Sequence, residues 1–195
     1  VKLSVLLVKE EKQEATRHPE LHTLDEKLYI SPAVALQEAT KAVSAMGVLA
    51  MENLSIALDQ MMKYDASKLT NFDADEEELD QFADRADHFL IGLSKAVETE
   101  VDDRQLDLLI QTVPSMERIG DYATNFDEMG KKLYDTNGVF SESAKRELDT
   151  LCDAVEEILR LTVEAMETGA DHIARRIEPL EEVIDGLADT IKDNH

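Results

Sequence analysis

Apolar residues recur every three to four positions along most of this chain, and breaks in that recurrence divide it into helices. Ser31-Pro32 opens the first, with Ser as N-cap and Pro at the first helical position. It runs to about Lys63 on a stripe of Leu36, Ala39, Val43, Met46, Leu49, Ala50, Leu54, Leu58 and Met61. Polar residues from Asp65 to Asp73 interrupt the pattern. A second helix is predicted over about 74–98, with acidic residues in its first turn, where the helix dipole favours them, and a stripe from Leu79 to Val97. A third runs from near Asp102 to near Tyr134 on Leu109, Val113, Met116, Ile119, Ala123, Phe126 and Leu133, and Pro114 should kink or split it. Asn137-Gly138 is the clearest break. Ser141 then caps a fourth helix to about Thr168, with Gly169 as its stop, and a last helix follows from about Asp171, bent at Pro179.

Outside the helices, residues 9–29 are charged and aperiodic and read as a linker. Val1–Val8 is apolar but too short to span a bilayer; it is either the exit from a membrane helix or a short strand. The run Ala42–Leu58 carries Glu52 in its middle and reads as a central bundle helix, not a membrane span. One pattern occurs twice at a constant offset of 105 residues: Glu76-Glu77-Glu78-Leu79-Asp80-Gln81-Phe82-Ala83-Asp84 and Glu181-Glu182-Val183-Ile184-Asp185-Gly186-Leu187-Ala188-Asp189. Such self-similarity indicates a repeated helical unit. The first unit has three helices and the second shows two. The expected organisation is therefore a juxtamembrane segment and linker over 1–29, a first antiparallel three-helix bundle over 30–136, and an incomplete second bundle over 137–195.

Composition agrees with an all-α fold: Gly (7) and Pro (4) are scarce and aromatics are 5%. The net charge of −23 argues against nucleic acid, which needs Lys and Arg to displace counterions, and against unaided docking on an anionic bilayer. Cys152 is the only cysteine, so there is neither a disulfide framework nor a cysteine zinc site. No nucleophile–base pair, P-loop or glycine-rich nucleotide motif appears, and enzymatic activity is not expected.

Charge spacing adds the chemistry. Glu76, Asp80 and Asp84 lie four apart on one predicted helix, and Glu117 and Asp121 four apart on another, with Asn125 next in that row. Like charges at that spacing repel by roughly 0.2–0.5 kcal/mol per pair, so a cation between them is the simplest reason to keep them. Each row borders an apolar stripe, and both can edge one helix–helix seam. Gly120 costs roughly 1 kcal/mol relative to Ala in a helix, and its missing side chain would let the two helices approach. A seam of four or five carboxylates is an all-oxygen site suited to magnesium, calcium, manganese or iron. Asp80, Asp84, Glu117 and Asp121 are the principal candidate ligands, with Glu76 and Asn125 as additions. His88 continues the first row, but a lone surface histidine is the commoner role. A carboxylate-bridged di-iron oxidase is a rival, although it normally uses Glu-x-x-His motifs and none is present. A metal-free adaptor bundle is the other. The repeat row Glu181, Asp185 and Asp189 lacks a partner helix and reads as a solvated face.

Glu117-Arg118-Ile119-Gly120-Asp121 followed by Asn125 resembles the E-R-I-G-D-H-x-x-N signature of the PhoU family, and the acidic row before it resembles that family's partner motif. The approach Leu24–Leu28, then Ser31-Pro32-Ala33-Val34-Ala35-Leu36, is similar to the cytoplasmic PhoU-like tail of bacterial sodium/phosphate cotransporters. The resemblance implies tandem three-helix bundles, with Glu117, Asp121, Asp80 and Asp84 as ligands of clustered iron or zinc. It also implies a regulatory role in phosphate uptake at the cytoplasmic face of the membrane, tethered to a transmembrane domain. The partners it implies are the chain's own transporter domain or other phosphate-uptake components, with a homo-oligomer as a further arrangement. Two departures stand out: Tyr122 replaces the signature histidine, and no second signature helix follows the repeat.

Overall fold

The structure, a computed structural model, describes residues 17–194. The Val1–Val8 segment and the first part of the linker lie outside the described residues. Five long helices carry the fold: α1 (Pro32–Met62), α2 (Phe72–Leu93), α3 (Glu100–Asp135), α4 (Glu142–Thr168) and, after the single turn α5 (Asp171–Ala174), α6 (Ile177–Asn194). Among the described residues there is no strand, and the all-α expectation holds.

Helix α1 is the hub. Sixteen of its residues are buried, among them Leu36, Val43, Met46, Leu49 and Leu54, because α2, α3 and α4 all pack on it. By length and composition it could cross a bilayer, yet 61% of its most apolar window is buried within the protein. Helices α1, α2 and α3 close a three-helix bundle around Leu36, Met46, Phe82, Leu90, Leu106 and Leu109. The lower end of α1 shares a second core with Phe72 and Ala123, and Cys152, Val155 and Leu159 of α4 pack against it. Helix α4 buries only Leu161 and Val163, and α6 buries nothing. The second unit is thus a two-helix hairpin laid on α1 through α4. Val183 of α6 is exposed, while Ile184 and Leu187 are half-buried.

Several boundaries differ from the sequence reading for local reasons. The Ser31 side chain makes no cap hydrogen bond; α1 starts there because Pro32 is preset for the first helical position. Helix α2 ends at Leu93 instead of about 98; the last residues form a turn in which Val97 N–H still reaches the Leu93 carbonyl at 3.3 Å. Pro114 does not split α3, which runs unbroken past it. Pro114 is exposed, so the carbonyl it leaves without a donor is on the wet side of the helix. Helix α3 closes with Gly138 N–H on the Leu133 carbonyl (2.8 Å) and Asn137 N–H on the Tyr134 carbonyl (3.0 Å). That is the Schellman arrangement, with Asn137 at φ 52° in the left-handed position. Ser141 and Gly169 bound α4 as expected, Gly169 at φ 63°. The last break falls at Arg175-Arg176, not at Pro179, which sits in the first turn of α6 where no N–H is needed.

The described part of the expected linker is not a free tether. Two 3-10 turns, Pro19–His22 and Glu26–Ile30, pack on the first bundle. Leu21 is buried in the main core, Leu24, Leu28 and Tyr29 pack against it, and Tyr29 Oη donates to the Phe89 carbonyl at 3.0 Å. These apolar side chains are spaced by turns and not by a helical period, so the pattern gave no sign of them.

Candidate metal centre

The α2–α3 seam places the two acidic rows together. On α2 the row runs Asp73, Glu76, Asp80, Asp84 and Asp87; on α3 it runs Glu117, Asp121, Thr124 and Asp127. Steps of three and four keep each row on one face. Beneath them Leu79, Phe82 and Ala83 of α2 and Met116, Gly120 and Ala123 of α3 are buried. A Cβ on Gly120 would stand 3.2 Å from Leu79 Cδ1, so the glycine does permit close approach at this point.

Crowding shows in the electrostatics. Burial, then the charges of Asp80 and Asp121, raise the Glu76 carboxyl above its ordinary range, while the Thr124 hydroxyl pulls it the other way. Desolvation, then Asp121 and Asp84, raise Asp80. Desolvation, then Asp80, Asp121, Asp84 and Asp87, raise Glu117. Lower on the seam, burial and the charge of Asp73 raise Asp127 despite Lys131, and Asp127 Oδ1 is buried with no hydrogen-bond partner. The causes cross from one helix to the other, so both rows do face a common strip. Among the described residues no lysine or arginine offsets the crowding of Glu76, Asp80 and Glu117. Oxygen donors, mutual repulsion and a buried unpaired carboxylate oxygen are what a hard cation would relieve. From Glu76 to Asp84 the α2 row covers about 12 Å at 1.5 Å per residue, which is a strip for clustered ions more than a single-point cage.

Glu76, Asp80, Asp84, Glu117 and Asp121 all border this strip. The Asn125 side chain instead donates to its own helix, at the Asp121 carbonyl, 2.9 Å away. His88 is exposed and faces Glu26 of the second 3-10 turn at 3.6 Å, away from the row it seemed to extend. Tyr122, at the departure from the signature, is exposed and accepts a hydrogen bond from Arg118 Nη2 at 3.2 Å. Glu181, Asp185 and Asp189 are all exposed on α6. The sequence reading missed Asp73, Asp87, Thr124 and Asp127. Following the three-residue steps as well as the four-residue ones would have found them.

Residues 43–129 match the PhoU domain family, a stretch that contains every seam residue from Asp73 to Asp127. No curated protein and no solved structure matches the chain.

Proposed function

We propose, from a chain whose residues 43–129 match the PhoU domain family, that the α2–α3 seam is a metal-charged regulatory surface acting on phosphate uptake. The family is regulatory and non-enzymatic, and its setting is phosphate homeostasis. The observation that carries the metal reading is the mutual crowding of Glu76, Asp80 and Glu117 with Asp84 and Asp121 across two helices. Iron, zinc, magnesium or manganese would be held by Asp80, Asp84, Glu117 and Asp121, with Glu76 at the edge of the strip. Bound cations would turn an acidic stripe into one that a protein partner can approach. With a net charge of −23, the bundle would not settle on an anionic bilayer unaided. A position at the cytoplasmic face, beside the transmembrane part of a sodium-dependent phosphate transporter, would come from the chain that precedes residue 17.

Elemental analysis of purified protein tests the metal. The parent chain should carry at least one equivalent, and Asp80→Asn with Asp121→Asn should remove at least one while leaving the helical content intact. Unchanged stoichiometry in the double variant would refute the seam as the site, and a metal-free parent that binds no added cation would favour the adaptor reading. Deleting residues 30–195 from a transporter that contains them should alter the phosphate dependence of uptake without affecting membrane insertion.

A further inference from the structure

A second group of ligand-type side chains stands apart from the seam, where the first 3-10 turn meets the start of α2. One ligand atom each from His18, Asp75 and Glu78 lie within 4.8 Å of one another. None of the three belongs to the seam rows. The carboxylates are three residues apart and share a face of α2, and Asp75 sits in its first turn, where the dipole favours negative charge. The side chains are mostly buried, 14% exposed for Asp75, 15% for Glu78 and 22% for His18.

Of what surrounds the three, Glu20 stands where the support of a metal-binding histidine stands, while Arg17 and His22 pair with the two carboxylates. His18 presents Nε2 to Asp75 Oδ1 at 3.2 Å, and its other nitrogen, Nδ1, faces Glu20 Oε1 at 3.4 Å. A carboxylate on the far nitrogen of a histidine fixes its ring and tautomer, the usual support for a metal-binding imidazole. His22 Nε2 lies 3.1 Å from Glu78 Oε1, and Arg17 Nη2 lies 2.5 Å from Asp75 Oδ1. In tetrahedral zinc sites with bonds of roughly 2.0–2.2 Å, ligand atoms sit a little over 3 Å apart, which is the spacing between His18 Nε2 and Asp75. Leu21, buried between the two histidines, pins the turn to the core so that the imidazoles are held against α2.

We infer that His18, Asp75 and Glu78 form a zinc-class site, with Glu20 and His22 as supporting residues, that staples the segment before α1 onto α2. Mixed imidazole and carboxylate donors suit zinc and similar transition ions better than the all-oxygen seam does. The site is independent of the seam reading: it uses none of the seam residues, and its consequence is the order of residues 17–30, not the charge of the α2–α3 strip.

Titration of the metal-stripped chain with Zn²⁺ against a competing chelator tests the assignment, with hydrogen exchange of residues 17–30 as a second readout. His18→Gln and Glu78→Gln should each lose one Zn²⁺ equivalent. Glu20→Gln should weaken it about 10-fold or more, as supporting-residue changes do. Asp80→Asn with Asp121→Asn should retain this equivalent whatever happens at the seam. Zn²⁺ should slow exchange across 17–30 in the parent and in that seam variant alike. If His18→Gln binds like the parent, or if Zn²⁺ leaves exchange over 17–30 unchanged, the group is only an ion-paired clasp and the inference fails. The exchange readout uses the unsubstituted chain, so a variant that unfolds does not shelter the idea.

Discussion

Gly130→Ala should lower the melting temperature of this protein by about 4–8 °C, equivalent to roughly 2 kcal/mol or more for a chain of this size. A Cβ on Gly130 would stand 2.6 Å from the Gln60 carbonyl oxygen, 2.7 Å from its carbon and 2.9 Å from the Met61 nitrogen. All three are backbone atoms, so no side-chain rotation makes room and α3 must move off the end of α1. Alanine gains about 1 kcal/mol of helix propensity over glycine. Overpacking a tight contact costs typically about 1–3 kcal/mol and sometimes more, and here the obstacle is main chain, which places the cost at the upper end. Separating the helices also disturbs the turn after α1, where Gln60 Oε1 accepts from Asp65 N–H at 2.6 Å. Gly186→Ala is the matched control. Nothing lies within 4 Å of a Cβ there, so the propensity gain of about 1 kcal/mol should appear as greater helix stability. Thermal unfolding of the two variants beside the parent decides the matter; a Gly130→Ala protein that melts at or above the parent temperature would show that α1 and α3 do not touch as described.

The helices that were legible in the sequence are those whose burial is one-sided and long. Helix α4 was read almost to the residue because Ser141 and Gly169 make the cap and the left-handed stop with their own chemistry. The same logic failed where tertiary contacts, not local signals, set the outcome. Residues 17–30 look like a charged linker, since Leu21, Leu24, Leu28 and Tyr29 are dispersed among Glu, Lys and His; only the three-dimensional bundle gives them something to pack on. The break at Arg175-Arg176 has neither glycine nor proline to announce it. Of the candidate ligands, the α2 and α3 carboxylates were legible because helical spacing alone fixes which side chains share a face. Asn125 marks the limit of that reasoning, because spacing gives a face but not a rotamer and its side chain bonds its own helix, while His88 is exposed, in keeping with the surface role read as the commoner one. His18, Asp75 and Glu78 were not legible, because 57 residues separate His18 from Asp75 and the segment that carries the histidine had no predicted structure.

Without metal, this protein should become more stable as the pH falls from 7 towards 5, against the usual trend for an acidic chain approaching acid denaturation. Glu76, Asp80 and Glu117 are raised in the folded state, first by desolvation and then by their acidic neighbours, whereas in the unfolded chain they titrate near the ordinary values of 4.5 and 3.8. The folded state therefore holds protons that the unfolded state has already lost. Stability from these groups is fully present below the unfolded values and is lost as the pH rises through the higher folded ones, so the apo protein at neutral pH is the weakened form. Relief of general repulsion in a chain of net charge −23 acts in the same direction, and a variant must separate the two. Glu117→Gln with Asp80→Asn removes two of the three raised seam carboxyls while changing the net charge only slightly. In EDTA the parent should gain stability as the pH falls from 7 towards the ordinary carboxylate range, and the variant should be more stable than the parent at pH 7 and gain less on acidification. Saturating Mn²⁺ should invert the parent profile, because a bound cation holds the same carboxylates in their charged form and dissociates as they protonate. The carboxylates lowered by local partners, such as Asp65 by Ser67 and Glu142 by Lys145, lose their contribution only further down, below the ordinary carboxylate range, and the seam variant is what separates the seam from the histidine–carboxylate pairs that His18, His22 and His88 make. Parallel melting profiles for parent and variant, in EDTA and in Mn²⁺ alike, would mean that the acidic rows are solvated faces and that the strip between α2 and α3 neither strains the fold nor receives an ion.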